Sequence, residues 1–173
     1  NTYDDGEYKK KIEGYGFKVL KSEFVNNSKE NICNSRNVAR DYFLKGDYDY
    51  FFNLESDVIP PKSIIEELMQ WGKDVISGWY YIGQGSFIKR PCLFKGFVPV
   101  KMEGGETVFP LDPYETDWFA DKRLQRIWLG SMGCCLMKMH ILEKIYFKIF
   151  PGFESHDDTF FYQDCEIIGI EVY

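Results

Sequence analysis

Two carboxylates at the end of an apolar run are the first residues in this chain able to do chemistry. Residues 48–54 climb through aromatic and apolar side chains, stop at Glu55-Ser56-Asp57, and are closed by Pro60 and Pro61. A short apolar run bounded by turn signals reads as a buried strand. Acids spaced i, i+2 then share one side of an extended backbone, roughly 6–7 Å apart along it. Hard divalent cations take carboxylate oxygens, and Mg²⁺ or Mn²⁺ uses one or two of them together with substrate phosphates. In open α/β sheets the carboxyl ends of the strands are also where ligands bind. Taken alone, the segment is equally a surface turn whose acids are solvated or cap the next helix.

Three further sets carry polar chemistry. Asn34-Ser35-Arg36-Asn37 stands where a helix is expected to begin, and free helix amides beside an Arg suit phosphate. Simple capping, with Arg36 facing solvent, is the bland reading. His156-Asp157-Asp158 opens the last expected helix. One aspartate there is explained by capping and the helix dipole, and the other is available as a general base for a hydroxyl. The dipole lowers such a carboxyl, so a base at this place is expected to stay ionised at neutral pH. Gly130-Ser131-Met132-Gly133 marks either a close backbone approach to a substrate or a bulge. Trp79, Tyr80, Tyr81, Trp118 and Trp128 are candidates for stacking on sugar rings, although core packing is the commoner role of aromatics.

The elements that must position these groups follow from periodicity. Residues 7–14 read as a short exposed helix and 17–24 as a strand. Residues 26–34 read as a polar loop, and 35–45 as a helix capped by Asn34 or Ser35. The acid-ended strand comes next, followed by a helix over 62–72 and a strand over 74–81. Strand, helix, strand, helix, strand implies right-handed βαβ units and a mostly parallel sheet. Residues 83–130, rich in glycine, proline and aromatics, read as hairpins and loops with short strands at 97–102 and 106–109. A buried strand over 127–139, a short helix over 140–147, a final helix over 157–168 and the start of a strand at 170–173 complete the chain. No repeat, low-complexity tract or linker interrupts it, and 173 residues suit one domain.

Composition narrows the class. The net charge is −6, with acids and bases interleaved, which argues against a general nucleic-acid binder. The five cysteines form no CxxC pair and are odd in number. A disulfide framework or zinc site is therefore not expected, and a reducing, cytoplasmic setting is, with a place peripheral to a membrane as the alternative. No apolar run approaches the about 20 residues of a membrane span. GxSxG, Walker, HExxH and GxGxxG motifs are all missing.

Together these pieces resemble the GT-A nucleotide-sugar glycosyltransferases, in particular glycosyltransferase family 2. Ser35-Arg36-Asn37-Val38-Ala39 is similar to the family's "aRN" helix start, and Phe51 to Asp57 to its hydrophobic strand ending in DxD. Residues 130–138 are similar to the "GxGxxLxr" strand near the acceptor. Asp157-Asp158-Thr159-Phe160-Phe161, with Gly169 beyond, is similar to the "EDxxF…G" helix that carries the base.

The resemblance implies a GT-A fold and a metal-dependent, inverting transfer of sugar from a UDP- or GDP-sugar to a hydroxyl of a glycan, lipid or protein. It implies Asp57 and Glu55 as ligands to Mn²⁺ or Mg²⁺. It makes Arg36, Asn37 and Asn1 the nucleotide pocket, and Asp158, or its neighbour Asp157, the base. Glu55 stands where the family has its first Asp, so a water-mediated or ribose contact is an alternative for it. The family's first strand would precede Asn1 and its third metal ligand would follow Tyr173, so the chain is expected to be a fragment. The competing readings are a non-catalytic glycan- or nucleotide-binding module on the same fold, and a sugar-phosphate nucleotidyltransferase.

Overall fold

The computed structural model describes residues 6–82, 90–114, 124–153 and 155–173. An exposed helix α1 (Gly6–Gly14) leads to the long helix α2 (Ser28–Phe43), strand β1 (Tyr50–Leu54), the short helix α3 (Ile64–Met69) and strand β2 (Val75–Ser77). Short strands follow: β3 (Tyr81–Ile82), β4 (Arg90–Pro91), β5 (Leu93–Phe97), β6 (Val100–Lys101), β7 (Thr107–Val108), β8 (Leu111–Pro113) and β9 (Leu129–Gly130). Strand β10 (Cys134–Lys138), helix α4 (Met139–Lys144) and helix α5 (Asp157–Ile167) close the chain.

The central sheet has the order β1-β10-β2, with β10 antiparallel to both neighbours. The architecture is therefore mixed α/β with small antiparallel sheets, and the expectation of a mostly parallel sheet is corrected. The local unit is as read: β1, α3 and β2 form a crossover, and the two strands run in the same direction. What periodicity along the chain cannot report is that a strand some eighty residues later inserts between them. Every named ladder among the described residues is antiparallel, and parallel pairing is confined to a single bridge between Val75 and Val172. The hairpins read over 83–130 are present as β3/β4, β5/β8 and β6/β7.

Alternation along β10 divides the core into two faces. Cys135 and Met137 join the larger cluster, with Cys33 and Phe43 from α2 and Phe161 and Cys165 from α5. Cys134 and Leu136 join a smaller cluster with Leu68 of α3 and Ile76 of β2. Helices α2 and α5 thus cover one face, and α3 covers the other.

Helix α2 begins earlier than its sequence suggests. Asn27, not Asn34 or Ser35, is the cap, its side chain accepting from the amides of Lys29 and Glu30 at 3.0 and 3.2 Å. The stretch read as a polar loop is its first two turns. Its polarity misleads because Asn31 is buried, with its amide clamped to both backbone groups of Val25 at 2.9 and 2.6 Å. Residues 17–24 alternate like a strand but join no ladder, and Phe17 and Phe24 remain exposed. No helix among the described residues is long and apolar enough to cross a membrane.

Loss of the Asn27 cap orphans two amides at the start of α2. Asn27→Ala should lower stability by about 1 kcal/mol, measured by urea unfolding followed by far-ultraviolet circular dichroism, with α2 still formed.

Candidate functional site

The site is built on Arg36. Because α2 begins at Ser28, Arg36 lies about two turns inside the helix, and the free amides of a helix mouth are not beside it. The phosphate-cradle reading of Asn34 to Asn37 is corrected accordingly. The guanidinium points inward and divides its donors between two carboxylates. Nη1 donates to Asp157 Oδ1 and Nη2 to Glu55 Oε1, both at 2.5 Å. Arg36 is 9% exposed and Asp157 1%, whereas the Glu55 side chain keeps 40% of its surface. One buried cation therefore ties the middle of α2 to the end of β1 and the start of α5.

Electrostatics follow from this burial. Desolvation opposes the charge on Arg36, but Asp157, then Glu55 and Asp158, outweigh it and raise its pKa further. Burial pushes the Glu55 carboxyl up, Arg36 pulls it down, and the nearby charges of Asp57 and Asp158 push it up again, for a net rise. Asp158 is also raised, chiefly by burial, against the pull of Arg36 and of the Thr159 amide that its Oδ1 accepts at 2.7 Å. The dipole-based expectation of a lowered carboxyl at this helix start is overturned by desolvation. Oδ2 of Asp157 is buried with no hydrogen-bond partner among the described residues.

The acidic turn is stitched to the glycine loop that precedes β10. The Glu55 amide donates to the Gly133 carbonyl at 3.0 Å, and the Asn53 side chain donates to the Met132 carbonyl. The Tyr80 hydroxyl pairs with Ser131 Oγ, which also accepts from the Gly133 amide at 3.2 Å. A Cβ on Gly133 would run into the Tyr80 ring. The close approach that this glycine permits is therefore to Tyr80, which fills the space with its hydroxyl turned to Ser131. Burial raises both the Tyr80 hydroxyl and the neighbouring Cys92 thiol.

The structure brings Arg36, Glu55, Asp157 and Asp158 together and leaves Asp57 exposed on the turn beside them. Asn37 goes elsewhere: its amide donates to the Phe147 carbonyl at 2.7 Å and accepts from the Phe147 amide at 3.0 Å. A side chain buried and engaged in this way is a backbone clamp, not the lining of a nucleotide pocket. Asn1 and Trp118 lie outside the described residues. Asn53, the pairing of Ser131 with Tyr80 inside the glycine loop, and the bridging role of Arg36 escaped sequence reading. Only Asn53, a polar residue inside an apolar strand run, left a signal there. No group of three or more His, Cys, Asp or Glu side chains arranged to hold a metal is present among the described residues. Asp57 and Glu55 still fit an ion that takes one or two protein carboxylates and completes its shell with phosphate oxygens and water.

No family model matches the chain, and no curated protein does. Among solved structures, the crystal structure of A197 from STIV is similar to it, at 18% identity and a TM-score of 0.49, over 90% of this chain and 68% of that one.

Removing the guanidinium strands a buried carboxylate. Arg36→Met should cost about 3 kcal/mol or more, and Arg36→Met combined with Asp157→Leu should recover much of that loss, read as urea midpoints. Asp158 behaves differently. Its raised pKa means that the folded chain binds its proton more tightly than the unfolded chain. Its favourable contribution is therefore complete below roughly pH 4 and is lost as pH rises through the raised value. Asp158→Asn should unfold at higher urea than the parent at neutral pH, with the difference closing towards pH 4.

Proposed function

We propose that the chain is a metal-dependent glycosyltransferase of the GT-A type, moving a sugar from a nucleotide-diphosphate donor to an acceptor hydroxyl with inversion. The observation that carries the reading is the Arg36 bridge. It holds the acidic end of β1 against the start of α5, and leaves Asp57 and Asp158 as the two acids without a hydrogen bond to the guanidinium. The GT-A reading of the fold rests on element order: an acid-ended strand, a helix and a strand, then a glycine-preceded strand, a short helix and a final helix opening on two aspartates.

In this reading the paired aspartates divide their labour. Asp157, buried on Arg36, is a strut. Asp158 is half-buried and carries a carboxyl whose pKa is raised by burial, the direction that makes a carboxylate a better base. It takes the proton from the acceptor hydroxyl as that oxygen bonds to the anomeric carbon, while the bond from that carbon to the diphosphate oxygen breaks. Asp57 holds the divalent ion, Mn²⁺ or Mg²⁺, with Glu55 in support, since one oxygen of Glu55 already accepts from Arg36. Such an ion supplies charge stabilisation to the departing diphosphate. Arg36 adds positive charge behind both acids and keeps the two elements in register.

A titration of the protein with UDP- and GDP-sugars should show binding that requires Mn²⁺ and is lost in Asp57→Ala. Binding that survives both a chelator and Asp57→Ala overturns the assignment. Asp158→Asn should keep donor binding and lower kcat about 10²–10⁴-fold, measured as nucleoside diphosphate released in the presence of acceptor.

A further inference from the structure

The glycine loop before β10 seats two tyrosine hydroxyls on one serine. Tyr80 pairs with Ser131 Oγ, and the Tyr162 hydroxyl donates to the Ser131 carbonyl at 3.3 Å. Each glycine of the loop makes room for one of them. A Cβ on Gly133 would run into the Tyr80 ring, and a Cβ on Gly130 would crowd the Tyr162 hydroxyl at 3.1 Å. Tyr162 belongs to α5 and is 1% exposed. Its oxygen pairs with the Ser77 hydroxyl at 2.8 Å, and Cys135 Sγ, at 3.7 Å, is a longer and weaker acceptor. Burial holds the Tyr162 hydroxyl well above its usual range, so it remains a donor at neutral pH.

A buried tyrosine normally finds some partner for its hydroxyl, so satisfaction alone says little. What distinguishes Tyr162 is where its bond leads. Three successive carbonyls of the loop receive three different elements: Ser131 from Tyr162 on α5, Met132 from Asn53 on β1, and Gly133 from the Glu55 amide of the acidic turn. One short loop therefore holds the last helix and the acidic turn at once. Tyr162 also stands four residues, about one helical turn, beyond Asp158. Arg36 grips the same helix at Asp157. The first anchor fixes how far α5 lies from the acidic turn, and a second anchor a turn further on fixes its tilt and rotation. The Asp164 bond to Lys148 and the Glu166 bond to Trp128 tie α5 to residues that hold neither the loop carbonyls nor the acidic turn.

In a single displacement the attacking oxygen, the anomeric carbon and the leaving oxygen must align, and a misplacement of about 1 Å can cost 10²-fold in rate. With the base on α5 and the ion on the acidic turn, that alignment depends on how these two elements are held together. We propose that Tyr162 is a positioning residue for the transfer, locking α5, and Asp158 with it, to the loop that carries the acidic turn. The inference rests on the transferase reading for its consequence in catalysis. The tie itself is measurable without substrate.

Tyr162→Phe keeps the ring and removes the donor. Amide hydrogen exchange at Glu55, read by solution NMR on the isotope-labelled chain without donor or metal, should speed up about 5–10-fold as the Gly133 carbonyl loosens. Lys148→Met breaks a different tie of α5 and should leave that rate unchanged. In transfer assays Tyr162→Phe should lower kcat about 10–100-fold with donor KM within about twofold of the parent, and Lys148→Met should keep both. Ser77→Ala, which retains Tyr162 and guards against misfolding, should move exchange and kcat in the same direction by less. Unchanged exchange at Glu55 in Tyr162→Phe overturns the inference whatever the rate of transfer. A parent that transfers sugar beside a Tyr162→Phe that keeps its kcat overturns the inference and leaves the transferase reading standing. A joint loss of kcat and KM, or an equal loss in Lys148→Met, also overturns it and assigns Tyr162 to stability alone. A parent that transfers no sugar overturns the transferase reading, and exchange at Glu55 then decides the tie by itself.

Discussion

A guanidinium buried inside a protein must be paired, and in this chain that requirement organises the site. Arg36 is driven inward by its position on the packed face of α2, so two carboxylates have to reach it. They come from the end of β1 and the start of α5, which otherwise share no hydrogen-bonded ladder. Breaking the arm to Asp157, which is 1% exposed, leaves a charge in a low-dielectric setting, where desolvation costs several kcal/mol. The distance between the acidic turn and the final helix is therefore set by one side chain on a third element. The remaining polar contacts, Glu55 to Gly133, Asn53 to Met132 and Asp158 to Thr159, refine a geometry that Arg36 has already imposed.

The second organising feature is β10. Its insertion between β1 and β2 makes the central sheet antiparallel and gives it two differently used faces. One face, under α2 and α5, carries the larger core and the ion bridge at its rim. The other, under α3, closes over a smaller core. The glycine loop before β10 serves both faces. Its carbonyls receive the acidic turn, and its Gly133 leaves room for Tyr80, so the loop couples the ends of β1 and β2 through hydrogen bonds and not through a ladder.

Legibility in the sequence followed the range of the forces involved. The apolar run of β1, the helices α1, α4 and α5, and the hairpins beyond residue 83 were readable, because each is encoded by side-chain periodicity and turn residues over a few positions. The clustering of acids near Glu55 and Asp158 was readable for the same reason: acids at the ends of apolar segments stand out. Polar residues turned inward were not readable. Asn31 made the first turns of α2 look like a loop, and Asn37 looked like pocket chemistry. Each is buried because its amide satisfies backbone groups, in the case of Asn37 on Phe147, 110 residues away. An asparagine on a surface and one clamping a distant backbone are identical in sequence.

The sequence by itself determined the inventory. It carries an acid pair ending an apolar strand, an arginine on a helix, two aspartates opening a last helix, and aromatic residues in excess. Tertiary structure decided the division of labour among them. Asp157 became a strut because the chain brings Arg36 to it across 121 residues. Asp158, one position on, was left half-buried with a raised carboxyl. Neighbouring aspartates on one helix turn have the same intrinsic chemistry, and only the burial and charge around each can make one a fixed counter-ion and leave the other without a hydrogen bond to the guanidinium.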